Sequence, residues 1–182
     1  MCKMKNKSTK LEGFIKGLHN YIINDRTFRK KTNGKSEVQI QTEIRPVIVD
    51  YLKKWYQNEG YVDFERKAHN SFYWEGQEGR NKDPRNSAFG SFNYPDFIIK
   101  EPYRVAIEYK QSPNGSIVKH GIGQSILHTM AGDHDFVYFL FRDQSDDHRI
   151  DESINNNEDK CIEKDIVDVL WRDFNVKVEI VK

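Results

Sequence analysis

Asp96, Glu108 and Lys110 are the residues of this chain whose types and spacing best suit a chemical task. Pro95-Asp96 stands just before Phe97-Ile98-Ile99, and Glu108-Tyr109-Lys110 closes an apolar run that starts at Val105. Alternate residues of a strand share a face, so Glu108 and Lys110 point the same way. The turn through Glu101-Pro102 predicts that the two runs form a hairpin, which returns the chain so that Asp96 lies beside Glu108. Two carboxylates on adjacent strands make a hard-oxygen site suited to Mg²⁺ (or Mn²⁺), an ion that keeps several waters and takes one or two carboxylates plus a substrate phosphate. A lysine beside them orients the attacking water and balances charge. A Lewis acid, a positioned water and charge compensation are the parts of metal-assisted phosphodiester hydrolysis. Singly, each residue has an ordinary use: an Asp before a strand caps a turn, and Glu-x-Lys makes a solvated pair. Their concurrence in one hairpin points to a site.

The elements that must position them follow from apolar periodicity. Leu11 to Phe28 has helical spacing. Ser36, with Gln39 three residues on, predicts a capping box that opens a helix running to about Gln57, with Pro46 inside it as a kink or a late start. Asn58-Glu59-Gly60 ends that helix. Tyr61–Lys67 reads as a strand and Asn70 to Tyr94 as a long loop, in which Phe72-Tyr73-Trp74 is a piece of core or a stacking wedge for bases. Strands follow at Phe97–Ile99 and Val105–Tyr109, then a helix at Lys119–Ala131 and a buried central strand at Phe136–Phe141. Gln144–Asp159 reads as an acidic loop, Lys160–Phe174 as an amphipathic helix and Val176–Val181 as a last strand. The expected order is α–α–β–β–β–α–β–α–β.

Pro95-Asp96, with Glu108-x-Lys110 following twelve positions after Asp96 and set among these elements, resembles the PD-(D/E)XK nuclease superfamily, the restriction-endonuclease-like fold. The likeness is closest to the nuclease domains of type I restriction subunits and their stand-alone relatives, and covers roughly residues 36–142. It implies an α/β fold with an αβββαβ core, a mixed central sheet flanked by helices. It also implies a metal held by Asp96, Glu108 and the Tyr109 carbonyl, with Lys110 positioning the water. Gln124, in the helix after the lysine, resembles the extra polar residue of such nucleases. Glu37, at the start of the earlier helix, resembles their helix glutamate. Glu37 is in line with the stripe of Ile44, Ile48, Tyr51 and Trp55 and is preferred to Glu43, which falls about 100° away. His120 and His128, at i−4 and i+4 from Gln124, either line the cleft with it or lie on an exposed helix face.

A chain of 182 residues fits one domain with a real core, here read as 36–182 after a basic extension, 1–35. No apolar run reaches the ~20 residues of a membrane span, and no apolar segment follows the basic start, so neither a span nor a signal peptide is expected. Two cysteines make neither a disulfide framework nor a four-cysteine zinc site, which suggests a reducing, cytoplasmic setting. The formal net charge of +1 hides a polarity: residues 1–35 hold ten Lys/Arg against two acids, and residues 143–173 eleven acids against four bases. Phosphate contacts are therefore expected from Arg29, Lys30, Lys31 and Lys35, and from Arg80, Lys82 and Arg85 in the long loop. The sequence expectation is a DNA endonuclease leaving 5′-phosphates and, by analogy with its relatives, a homodimer. An RNA-directed or exonucleolytic version, or a non-catalytic nucleic-acid-binding module on the same fold, is the alternative.

Overall fold

The computed structural model describes residues 9–25, 34–75, 86–88, 91–131, 134–155 and 162–182. Arg29, Lys30, Lys31, Arg80, Lys82 and Arg85 lie outside them. By its contacts the chain divides into two units, Met1–Tyr73 and Trp74–Lys182.

The first unit is helical. α1 (Thr9–Asn24) buries Phe14, Ile15, Leu18 and Ile22, the stripe expected from its spacing. It lies against α2 (Glu37–Asn58), where the Tyr51 hydroxyl donates to the Phe14 carbonyl at 2.7 Å and Trp55 meets the Phe14 ring edge-on. A Cβ on Gly17 would stand 2.8 Å from the Tyr51 oxygen, so glycine permits this approach. α2 opens with the expected capping box: the Ser36 N–H donates to the Gln39 side chain at 2.8 Å, and the Ser36 hydroxyl accepts from the Gln39 N–H. The helix continues through Pro46, and Gly60, at φ +84°, turns the chain after it.

The strand expected at Tyr61–Lys67 is instead the start of α3 (Phe64–Asn70). A strand there needs one face buried, yet Tyr61 and Val62 are exposed and Ala68 is the buried residue of α3. Pairs at helical spacing prevail: Arg66 donates to the Asp63 carboxylate at 2.6 Å, and the Ser71 hydroxyl to the Lys67 carbonyl at 2.7 Å.

The expected loop at 70–94 holds three short strands: β1 (Phe72–Trp74), in which the chain passes from the first unit to the second, and a hairpin of β2 (Asn86–Ala88) and β3 (Ser91–Asn93). β4 (Phe97–Ile99), β5 (Val105–Ser112), β6 (Phe136–Asp143) and β7 (Val176–Val181) complete a five-stranded sheet of order β1-β4-β5-β6-β7. β4 and β5 are antiparallel, whereas β5, β6 and β7 run parallel, so the sheet is mixed. β6 is buried along its whole length, as its continuous apolar run predicts. α4 (Gly115–Ala131) makes the crossover from β5 to β6 and packs on both. A Cβ on Gly121 would fall 2.4 Å from the Phe139 ring, so α4 lies very close to the sheet at that point. The result is an α/β fold with a mixed sheet. Among the described residues no helix is long and apolar enough to cross a membrane.

Gln144–Asp159, expected as a loop, contains a 3-10 turn and α5 (Arg149–Asn155). The sequence hides this helix because its cap is remote. The Asp143 carboxylate, at the end of β6, accepts from the N–H groups of Ile150 and Asp151 at 3.0 and 2.8 Å, and from the N–H and hydroxyl of Ser145 at 2.8 and 2.6 Å. α6 (Ile162–Phe174), the helix read as amphipathic, buries Leu170 and leaves Ile162, Ile166 and Val169 exposed.

Burial opposes the charge on Asp143, but the Ser145 hydroxyl and the three backbone N–H groups outweigh it and hold its pKa below the usual carboxylate range. A carboxylate whose pKa falls on folding contributes stability above its unfolded pKa of about 3.9, and that contribution is lost as pH falls through the lower folded value. Asp143→Ala is expected to cost about 2–4 kcal/mol in urea unfolding at pH 7. The gap between wild type and variant should narrow below about pH 4, which a pH series of the same unfolding curves measures.

Candidate functional site

Pro95 and Asp96 lead into β4, whose register sets Phe97 opposite Ile107. Carried one residue further, that register puts Asp96 opposite Glu108. Asp96 is 6% exposed, and its carboxylate accepts the Tyr109 N–H at 2.7 Å, just where the β4 ladder has ended. This bond fixes the carboxylate against β5. The N–H and C=O of a strand residue point the same way, so the Tyr109 carbonyl is presented toward the Asp96 side.

Glu108 and Lys110 share a face, as the alternation predicts, and their charged ends stand 3.0 Å apart at Glu108 Oε1. The Lys110 side chain is 17% exposed and Glu108 is 1% exposed. The second oxygen, Glu108 Oε2, is buried and has no hydrogen-bond partner among the described residues. Its polar neighbour is His128 Nε2, at 3.5 Å. Leaving a buried acceptor unmet costs about 1–3 kcal/mol, and more when it is charged. Stability alone therefore does not account for a carboxylate at this place.

α4 brings further polar groups into its buried face. Asn114 accepts the Ser116 N–H at 2.9 Å at the helix start. The suggested stripe of His120, Gln124 and His128 then grades inward: His120 is exposed, Gln124 half-buried and His128 wholly buried. Gln124 Oε1, Ser125 Oγ and both His128 ring nitrogens are buried without a hydrogen-bond partner among the described residues. Asp96, Glu108, Lys110 and His128 thus belong to one neighbourhood, and for His128 the structure decides between the cleft and the exposed face that the sequence left open. Its i+4 spacing from Gln124 was the available signal. Its burial follows from how closely α4 sits on the sheet, which periodicity does not reveal.

Glu37 stands half-buried in the first turn of α2, in the first unit. The alternative, Glu43, is ion-paired with Lys35, one of the residues expected to contact phosphate. Tyr73 and Trp74 in β1 are half-buried, and Phe72 is core. Among the described residues no three His, Cys, Asp or Glu side chains converge as a ready-made metal cage. Asp96 and Glu108 do suit a divalent cation: both are buried, Asp96 leads into the strand beside that of Glu108, and one Glu108 oxygen has no hydrogen-bond partner among the described residues. The remaining ligands would be the Tyr109 carbonyl and water.

Removing one partner of a buried ion pair leaves the other charge uncompensated. Lys110→Met is expected to lower stability by about 2–4 kcal/mol, and Lys110→Met with Glu108→Gln to recover at least half of that. A double-mutant cycle in urea, in metal-free buffer, measures the coupling.

No family model matches this chain, and no curated protein and no solved structure matches it.

Proposed function

We propose that this protein is a metal-dependent nuclease of the PD-(D/E)XK kind that hydrolyses DNA phosphodiester bonds to leave 5′-phosphates. The observation that carries this reading is the Glu108 carboxylate, 1% exposed, held at one oxygen by Lys110 and, among the described residues, without a hydrogen-bond partner at the other, beside Asp96 at the entry to the neighbouring strand.

Asp96, Glu108 and the Tyr109 carbonyl would hold Mg²⁺ or Mn²⁺. When bound, the ion supplies a Lewis acid for the phosphoryl oxygen and lowers the pKa of an attacking water. Lys110, paired with Glu108 and nearer solvent, would orient the water with its ammonium and offset the negative charge that builds on the phosphoryl oxygens. Gln124 contributes an acceptor for the same water. By resemblance, Glu37 is the expected helix glutamate, carried by the first unit. DNA would be held through its phosphates by the basic residues Arg29, Lys30, Lys31, Lys35, Arg80, Lys82 and Arg85, which give affinity without sequence preference. A homodimer would supply two such sites for the two strands, an expectation drawn from the fold analogy alone.

Incubation of supercoiled plasmid with the protein and Mg²⁺ or Mn²⁺ tests the reading. Nicked and linear products are expected, with none in EDTA. Lys110→Ala and Asp96→Asn, each first checked for native circular dichroism, should cut about 10²–10⁴-fold more slowly. Cutting at an equal rate by wild type and both variants would contradict the assignment. An intact plasmid alongside degraded linear DNA or RNA would move the substrate while keeping the site.

A further inference from the structure

We infer that His128 Nε2 is a ligand, together with Glu108 Oε2, of the divalent cation this site takes. The inference rests on the metal-dependent reading above and deepens it. It makes the site one of mixed oxygen and nitrogen character that favours a transition-metal ion over Mg²⁺.

Three observations carry it. First, both atoms are buried and unmet: the Glu108 and His128 side chains are 2% and 1% exposed, and neither Glu108 Oε2 nor His128 Nε2 has a hydrogen-bond partner among the described residues. A carboxylate oxygen and an imidazole nitrogen facing each other in a dry interior are satisfied either by closing to a normal N–H···O bond or by sharing an ion. Second, their 3.5 Å separation is at the far limit of a hydrogen bond. Two donors about 2.1 Å from one ion stand roughly 3.0–3.4 Å apart at octahedral or tetrahedral angles, so little movement is needed to share an ion. Third, the two elements that carry them are held rigidly. Glu108 lies in a strand paired on both sides, and its other oxygen is occupied by Lys110. His128 lies on α4, which Gly121 brings against Phe139.

The neighbours fit this role. Ser125, three residues before His128 on the same helix, has a buried hydroxyl that, like His128 Nδ1, makes no hydrogen bond among the described residues. Gln124 Oε1, one helical turn back, is an acceptor suited to a water on the ion. Carboxylate and water suit Mg²⁺, whereas imidazole suits the later divalent metals and raises affinity along the Irving–Williams order.

The test uses the whole chain loaded with Mn²⁺, read by electron spin echo modulation and by titration calorimetry. Wild type should show nitrogen-14 modulation that disappears when the protein is made with nitrogen-15 histidine, which identifies an imidazole ligand without any substitution. Mn²⁺ should bind at least about tenfold more tightly than Mg²⁺, and His128→Gln should weaken Mn²⁺ by roughly 10–100-fold while changing Mg²⁺ less. Glu108→Gln should lose both ions. Mn²⁺ bound with no nitrogen modulation, and with an affinity unchanged in His128→Gln, would overturn the nitrogen ligand and leave the metal centre standing. A wild-type protein that binds neither ion would overturn both.

Discussion

A buried carboxylate with only one oxygen satisfied is the constraint on which the rest of this structure turns. Glu108 sits at the heart of the sheet–helix interface, where a charge is tolerated only if it is compensated. Lys110 compensates it at Oε1, and nothing among the described residues hydrogen-bonds to Oε2. An apolar residue at position 108 would fill that place at lower cost, since the same face of the sheet carries Ala106 and packs on Phe139 and Ile126. The chain instead holds there a negative charge whose remaining need is for a cation. The proposed metal-dependent chemistry answers that need.

The fold holds the carboxylate in place from two directions. Along the sheet, the antiparallel register of β4 and β5 sets Asp96 opposite Glu108, and the Tyr109 N–H locks Asp96 where the ladder ends. Across the sheet, the parallel crossover from β5 to β6 lays α4 over the same face, close enough that Gly121 leaves no room for a side chain beside Phe139. That closeness is what delivers His128 to Glu108. The C-terminal end of β6 is secured separately. Asp143 gathers four donors to cap α5, a carboxylate fully satisfied by its own chain. Asp143 and Glu108 show the two uses of a buried acid: one has its hydrogen bonds completed locally, the other leaves an oxygen open.

Much of this was legible in the residues. The strand at Phe97–Ile99, the helix opened by Ser36 and Gln39, the central strand from Phe136 and the last strand at Val176–Val181 all follow from period and caps. The pairing of Glu108 with Lys110 follows from alternation alone. What was not legible depends on tertiary context. Tyr61–Lys67 has strand-like residues, but its side chains find helical partners such as Asp63 with Arg66. α5 lies in a polar, acidic segment because its cap comes from Asp143, several residues before it. His128 has the spacing of a site residue, but its burial follows from the α4–Phe139 contact, which no local pattern encodes.

The most direct measurement of the central claim is thermal unfolding of wild type and Glu108→Gln with and without saturating Mn²⁺. An ion that binds only the folded state stabilises it by about 2.7 kcal/mol at a hundredfold excess over its Kd. For a chain of this size that is a rise in Tm of roughly 5–10 °C. A cation held by Glu108 predicts this rise in wild type and none in Glu108→Gln, each measured against its own metal-free Tm. An equal rise in both proteins, or none in wild type, would contradict it.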